Sequence, residues 1–212
     1  MAIFLTADWH LGATDIRLLG RPFLDTFDMG SSILREHNRI VAPGDTVYML
    51  GDVIHKGADV PTLAPLLDVF NGNLVLVRGN HDDHSPAAMR ELERYFVEVI
   101  PEGDGVELNI DGLACWLTHY PVRSRTDRFN LVGHIHDRWK VQKNMLNVGV
   151  DVHHFRPVSE RDVRFYFDAI CGFYDEDVWV ADHPANAVHH DRGAPGTYLA
   201  TRGWAARGGV LR

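Results

Sequence analysis

Cysteine and long apolar runs are scarce in this chain, and each scarcity limits the cellular compartments in which the protein is expected. Only two of the 212 residues are cysteine, and Cys115 lies inside an apolar run where a buried free thiol is expected. Two cysteines cannot form the disulfide framework of a small secreted domain, so a cytoplasmic protein is expected. No apolar run approaches the roughly 20 residues of a membrane-spanning helix, so we expect no membrane partner. A cleaved signal peptide is not expected either, because the first predicted strand begins near Ala2.

An excess of positive charge is also missing. The chain has 21 Lys and Arg residues against 29 Asp and Glu residues, which gives a formal net charge of -8 with histidine neutral. A protein of this charge repels nucleic acid and anionic membranes at long range. A nucleic-acid partner is therefore disfavoured, although a local basic patch would override the overall field at short range.

The composition and the spacing of apolar residues indicate a globular α/β protein. Hydrophobic residues make up 45% of the chain and charged residues 24%, as in globular proteins generally. Short apolar runs bounded by Gly, Asp or Asn predict buried strands over residues 3–7, 47–50, 74–77, 114–118, 131–133 and 145–148. Helical spacing predicts helices over residues 22–40, 61–70 and 85–96, with Ser85 as a candidate N-cap of the third. Strands that alternate with helices are typical of the α/β class.

Two segments depart from this alternation. Glycines separate short apolar runs over residues 97–117, which predicts an antiparallel meander. The expected architecture is therefore two mixed sheets packed together with helices outside, a four-layer α-β-β-α sandwich. Residues 160–212 lose periodicity and end rich in Gly, His and Arg. We expect a core over residues 1–159 and a C-terminal extension over 160–212 that packs on the core and is partly irregular.

Side chains of the types that bind metals follow five of the apolar runs. The runs end in the segments FLTADWH, VYMLGD, LVLVRGNHD, CWLTHYP and FNLVGHIH. Strand ends of an open α/β sheet meet at one edge, so these side chains are expected to gather there as a dinuclear metal site. Nitrogen and oxygen ligands without thiolate favour manganese, iron, zinc or nickel over calcium. Two such cations together suit the hydrolysis of phosphate esters.

Each motif taken alone also has a structural explanation. Gly51-Asp52 is common turn chemistry, and a lone histidine is more often a packed structural residue than a ligand. The combination is more specific, because five of the 13 histidines lie in these five segments. Two divalent cations carry four positive charges, and the carboxylates of Asp8 and Asp52 would neutralise two of them. The positive field that remains would hold a hydroxide and an anionic phosphate.

The series D-x-H, G-D, G-N-H-D, H and G-H-x-H, in this order, resembles the calcineurin-like metallophosphoesterase superfamily over residues 1–159. The resemblance implies seven metal ligands, with Asp52 bridging the two ions: Asp8, His10 and His136 on one, and Asn80, His119 and His134 on the other. It also implies that His81 is not a ligand but stabilises the transition state and protonates the leaving oxygen. Asp82 would orient His81, and a metal-bridging hydroxide would attack phosphorus in line with the leaving group.

Three further segments narrow the resemblance to small bacterial and phage phosphoesterases. They are residues 21–23, the short connection from His119 to His134, and residues 147–151 followed by 156–158. This branch implies a reaction class but no particular substrate.

The function expected from these residues is hydrolysis of phosphomonoesters or phosphodiesters, with two divalent cations, Mn²⁺ being favoured. A small phosphorylated molecule or a nucleotide is the expected partner, and nothing in the sequence fixes the oligomeric state. One alternative is a DNA-processing nuclease, since residues 6–12 resemble the opening of the DNA-repair exonuclease branch. Another is a non-catalytic scaffold, although such relatives tend to lose ligands and none is lost here.

Arginines near the motifs are candidate substrate-binding residues. Arg78 precedes the G-N-H-D turn, where it would reach a phosphate oxygen or pair with a surface carboxylate. Arg123, Arg125 and Arg128 lie between two ligand motifs. They would grip a second phosphate or a nucleotide, or belong to a solvated loop.

Overall fold

The computed structural model describes residues 1–82, 85–103 and 105–173, within which ten strands and four α-helices form. The strands are β1 (Ile3–Thr6), β2 (Thr46–Met49), β3 (Asn73–Val77), β4 (Glu98–Ile100), β5 (Gly105–Ile110), β6 (Leu113–Thr118), β7 (Phe129–Val132), β8 (Val141–Gln142), β9 (Met145–Asn147) and β10 (Val158–Ser159). The helices are α1 (Thr26–Asn38), α2 (Val60–Leu67), α3 (Pro86–Glu93) and α4 (Glu160–Phe173). Single 3-10 turns occur at Ile16–Leu19, Pro121–Arg123 and Val150–Val152.

The strands form two five-stranded mixed sheets, which confirms the expected α/β fold. The first sheet has the order β10-β1-β2-β3-β4, with β1 to β4 parallel and β10 antiparallel. The second has the order β5-β6-β7-β9-β8, in which β6, β7 and β9 are parallel. The predicted meander over residues 97–117 is right for the β5–β6 hairpin and wrong for β4, because β4 pairs in parallel with β3 in the other sheet.

Two apolar cores hold these layers together. Helices α1 to α3 cover one face of the first sheet, where Trp9 stacks on Phe70 with ring centroids 4.3 Å apart. The other face packs against the second sheet through fully buried residues such as Leu5, Leu50 and Leu131. These contacts account for a helical layer and two sheet layers. A fourth layer, on the far side of the second sheet, stays a prediction.

The helices begin at side chains that cap their first turn. Ser85 caps α3 as predicted, its hydroxyl accepting a hydrogen bond from the Ala88 amide at 3.0 Å. Helix α1 begins later than the predicted residue 22, because Asp25 is its N-cap and Arg21 turns into the protein interior.

Helix α4 places Val163 and Ile170 in the core between the sheets and contacts strands β1, β8, β9 and β10. The rest of the predicted extension, residues 174–212, lies outside the described residues, so the boundary after Ser159 stays a prediction. Among the described residues, none of the helices has the length and apolar character to cross a bilayer.

His37 makes the stability of the fold depend on pH. It is fully buried between Trp9 and Phe70, and its Nε2 donates to the Asn71 carbonyl at 2.8 Å. Burial lowers the pKa of His37 from 6.5 to about 4. The unfolded chain therefore binds the proton more readily, and stability is lost as pH falls from about 6.5 towards about 4.

We expect His37→Gln to remove about 2 to 3 kcal/mol of this pH-dependent loss. Urea unfolding at the two ends of the pH window, with His154→Gln at an exposed position as control, measures it. Equal losses in the wild type and His37→Gln would contradict the assignment.

Candidate metal centre

All five predicted junctions lie at one edge of the two sheets. Strands β1, β2 and β3 of the first sheet and β6 and β7 of the second each run in parallel and end there. A main-chain bridge between Ala7 and Gly149 joins the two sheets at this edge, and the Val150 amide donates to the Ala7 carbonyl at 3.1 Å. The loops that carry the motifs therefore converge.

The candidate ligands form two groups at this edge. In each group, one possible ligand atom from every member lies within 4.8 Å of the others. The groups are Asp8, His10 and His136, and Asp52, His119 and His134. The Asp52 carboxylate lies between them, with Oδ2 3.5 Å from His10 Nε2 and 3.6 Å from His119 Nε2. Asn80 Oδ1 lies 3.2 Å from His119 Nε2, so all seven predicted ligands are brought together.

The burial of these groups fits divalent cations. His10 is 1% exposed, and neither of its ring nitrogens has a hydrogen-bond partner among the described residues. Burial, reinforced by the charge of Asp52, raises the pKa of Asp8 to about 8. Burial also raises the pKa of Asp52 to about 6. A cation between these carboxylates and imidazoles would favour both ionised acids and use the unpaired nitrogens.

Two candidate ligands, His119 and His136, are oriented by contacts on Nδ1. His119 Nδ1 donates to the Leu50 carbonyl at 2.7 Å, and His136 Nδ1 lies 3.2 Å from Asp151 Oδ2. A hydrogen bond at Nδ1 leaves the lone pair on Nε2, the arrangement that orients histidine ligands in metalloproteins. Burial lowers the pKa of His119 to about 4, which favours the neutral form that binds metals.

The backbone at the ligands is unusual. Five of the seven candidate ligands have left-handed φ angles between 50° and 75°: Asp8, His10, Asp52, His134 and His136. Such a conformation costs a non-glycine residue on the order of 1–3 kcal/mol and is found mainly at functional sites. It turns the chain sharply after β1, β2 and β7 and so directs side chains back over the sheet edge.

The glycines of two motifs are required by close approach. Gly51 has φ +85°, and a Cβ there would overlap His119 Nδ1. A Cβ on Gly79 would overlap Asp52 Oδ1. These contacts explain the Gly51-Asp52 and Gly79-Asn80 pairs in physical terms.

Asp82 holds two of the loops together. Its buried carboxylate accepts hydrogen bonds from the backbone amides of Asp52, Val53 and Gly79 at 2.8, 2.9 and 3.0 Å. The resemblance implies that Asp82 orients the His81 ring, and this role stays a prediction. The backbone contacts show that Asp82 fixes the Asp52 loop against the turn that carries His81.

His81 lies beside the first ligand group. Its ring centroid is 4.6 Å from that of His10, and its backbone amide donates to Asp52 Oδ1 at 2.8 Å. His81 Nδ1 accepts a hydrogen bond from the Lys56 amide at 3.1 Å. Burial, and then the neighbouring histidines, lower the pKa of His81 to about 4, so the neutral ring carries its proton on Nε2.

The predicted arginines lie in different surroundings. Arg125 stacks over Trp116 at 3.6 Å from the ring centroid and pairs with Glu107 at 2.6 Å, while Arg128 pairs with Asp127. These contacts give both residues a structural role on the outer face of the second sheet. Arg123 ends the 3-10 turn after His119, and half-buried Arg78 follows β3. Their predicted roles in substrate binding stay predictions.

Sequence reasoning gave no role to several residues at this edge. His55 forms a third group with His10 and His81, again with possible ligand atoms within 4.8 Å of one another. A cavity of about 350 Å³ beside the two ligand groups is lined by Leu19, His134, Ile135, His136, Asp137 and Arg138. Only the H-D-R continuation of the G-H-x-H motif could have pointed to Asp137 and Arg138.

Comparison with known proteins finds chains that are similar in sequence or in fold. MJ1445, an uncharacterised protein of Methanocaldococcus jannaschii, is 29% identical over 161 residues, which cover 74% of this chain and 86% of the relative. The fold resembles AQ665 of Aquifex aeolicus, a protein of unknown function, with a TM-score of 0.61 and 21% identity over 78% of this chain and 98% of that one. A structure described as an archaeal phosphodiesterase matches with a TM-score of 0.41 and 18% identity, over 70% of this chain and 82% of its own.

The sequence also matches the calcineurin-like phosphoesterase family, over residues 1–199. This match covers almost the whole chain, including every candidate ligand. The protein therefore belongs to the calcineurin-like phosphoesterases, a family of hydrolases that act on phosphate esters.

Proposed function

We propose that the protein hydrolyses phosphomonoesters or phosphodiesters, nucleotides among them, with two divalent cations, Mn²⁺ being favoured. The observation that carries this proposal is the position of the Asp52 carboxylate, within 3.6 Å of a histidine from each ligand group. We further propose that the protein belongs to the branch of small bacterial and phage phosphoesterases and is located in the cytoplasm. A fourth layer, of helices on the far side of the second sheet, is also part of the proposal. Both cysteines are free thiols, which supports a reducing compartment.

The two ligand groups would hold one cation each. The first cation would be bound by Asp8, His10 and His136, and the second by Asn80, His119 and His134. Asp52 would bind both cations. Two divalent cations at such positions supply a hydroxide nucleophile at neutral pH and positive charge for the phosphoryl oxygens.

His81 would serve the leaving group. Its neutral ring accepts a hydrogen bond from the Lys56 amide on Nδ1 and carries its proton on Nε2. From Nε2 it would donate a hydrogen bond to a phosphoryl or leaving oxygen and stabilise the charge that develops there. To protonate the leaving oxygen, the ring would first have to take up a second proton on Nδ1 and give up the bond from the Lys56 amide, because a neutral imidazole that loses its Nε2 proton becomes an imidazolate. The hydrogen bonds that the Asp82 carboxylate accepts from the Asp52 and Gly79 amides, and the bond from the His81 amide to Asp52, would keep the ring in place.

The organic part of the ester would lie in the cavity beside His134 and His136. Leu19 and Ile135 offer apolar surface there. The Arg138 guanidinium forms no hydrogen bond or ion pair with the residues that the structure describes, so it is available to an anionic or polar substituent. Arg78 and Arg123 remain proposed contacts for substrate phosphate.

The direct test is hydrolysis of two chromogenic substrates, a phosphomonoester and a phosphodiester, by metal-free protein reconstituted separately with manganese, nickel, zinc or magnesium. Metal-dependent turnover would support the proposal, and the preferred substrate would give the ester class. Two bound ions per chain without turnover of these esters or of single-stranded DNA would instead favour the scaffold alternative.

Asp52→Asn and His134→Ala are expected to lose metal and activity together. Asp52→Asn removes the carboxylate between the two groups, so both ions should weaken, whereas His134→Ala should weaken mainly the second. Metal content by elemental analysis, measured beside turnover, checks this, with Arg125→Gln on the far face of the second sheet as control. Full metal content in Asp52→Asn would refute the bridging role.

His81→Ala is expected to keep both ions and to slow turnover by roughly 100-fold or more, because the hydrogen-bond donor to the developing charge is lost. Metal content and kcat are measured on the same preparation. Loss of one ion would show that His81 is a ligand, as its proximity to His10 and His55 would permit.

A further inference from the structure

A single buried guanidinium contacts both the loop that carries Asp8 and His10 and the carboxylate that lies against His136. The side chain of Arg21 is 1% exposed and pairs with the Asp151 side chain, which is 6% exposed. The contact is a fork, with Nε 2.7 Å from Oδ1 and Nη2 2.8 Å from Oδ2. Arg21 and Asp151 thereby join segments that are 130 residues apart in the chain.

Asp151 also contacts a candidate ligand, His136. Its Oδ2, which already accepts from Arg21, lies 3.2 Å from His136 Nδ1. A carboxylate at Nδ1 orients the ring and leaves Nε2 for a cation, and such outer contacts strengthen metal binding. Arg21 fixes Asp151 through two parallel charge-assisted bonds, which restrict its rotation more than one bond would.

Arg21 also holds the loop that carries the other two ligands. Its Nη1 donates to the Trp9 carbonyl at 2.8 Å, and its Nη2 donates to the Asp8 carbonyl. Asp8 and His10 have left-handed φ angles of 61° and 52°. Bonds to the carbonyls on this turn favour the strained conformation in which both side chains face the site.

Contacts of the second ligand group come from other parts of the chain. His119 is oriented by the Leu50 carbonyl and Asp52 by the amide of His81. The Asp52 loop is further held by Asp82. Arg21 and Asp151 thus support only the first group, and the two groups meet at Asp52 and at the His134 amide, which donates to the Asp8 carboxylate.

We propose that Arg21 and Asp151 are positioning residues that preorganise the Asp8, His10 and His136 group for its cation and leave the second group largely unaffected. This inference rests on the proposed dinuclear site. Because a buried ion pair adds little net stability compared with an apolar pair, the fork is better explained by the precision it gives the site.

Asp151→Asn and Arg21→Lys test the inference. Asp151→Asn keeps the shape but removes the charge, and Arg21→Lys keeps the charge but removes the fork. Metal-free proteins are titrated with Mn²⁺ by calorimetry and by electron paramagnetic resonance. We expect two ions per wild-type chain. In both variants, one site should keep its affinity and the other weaken about 10- to 100-fold, with the signal of a coupled pair replaced by that of isolated Mn²⁺.

The control is Arg125→Gln, which breaks a surface ion pair with Glu107 and should bind Mn²⁺ as the wild type does. Two ions with wild-type affinity in both variants would overturn the inference alone, as would equal weakening of both sites. A wild type that takes up fewer than two ions would overturn the dinuclear proposal and this inference together.

Circular dichroism of the metal-free variants checks that they fold. If neither folds, a crystal structure of the wild type with Mn²⁺ decides. Coordination by His136 through Nε2, with Nδ1 on Asp151, supports the positioning role, and coordination through Nδ1 overturns it.

Discussion

The burial of two carboxylates and several imidazoles at one sheet edge is the constraint on which the rest of the site depends. Asp8 is fully buried and Asp52 is 2% exposed, and burial lowers the pKa of the neighbouring His10 and His119, so these two imidazoles bring no positive charge at neutral pH. The raised pKa values of both acids express the cost of this arrangement. The proposed pair of divalent cations would remove that cost, because such ions favour the charged carboxylates and the unprotonated imidazoles together.

The surrounding chain is built to hold these groups in place. Left-handed turns follow the strands at Asp8, Asp52 and His134, and glycine is required at positions 51 and 79 by close contacts. The strain is tolerated because hydrogen bonds fix the turns from outside. Asp82 does this for the Asp52 loop through three backbone amides, and the His134 amide donates to the Asp8 carboxylate at 3.0 Å. The first sheet and the second are thereby joined at the site itself.

Much of the fold and of the candidate ligand set could be predicted from the sequence because both depend on local patterns. The candidate ligands follow buried strands, and parallel strands bring their ends to one edge whatever the details of packing. Contacts between distant segments were beyond such patterns. The Arg21–Asp151 pair and the stacking of Arg125 on Trp116 depend on tertiary packing. The start of α1 was misplaced for the same reason, since Arg21 is drawn inward before Asp25 caps the helix.

Anomalous diffraction from crystals grown with Mn²⁺ tests the central claim most directly. The account predicts two anomalous peaks about 3.5–4 Å apart, with the Asp52 carboxylate in contact with both. One ion would be bound by Asp8, His10 and His136, and the other by Asn80, His119 and His134. A single peak, or an ion held instead by His10, His55 and His81, would contradict the account.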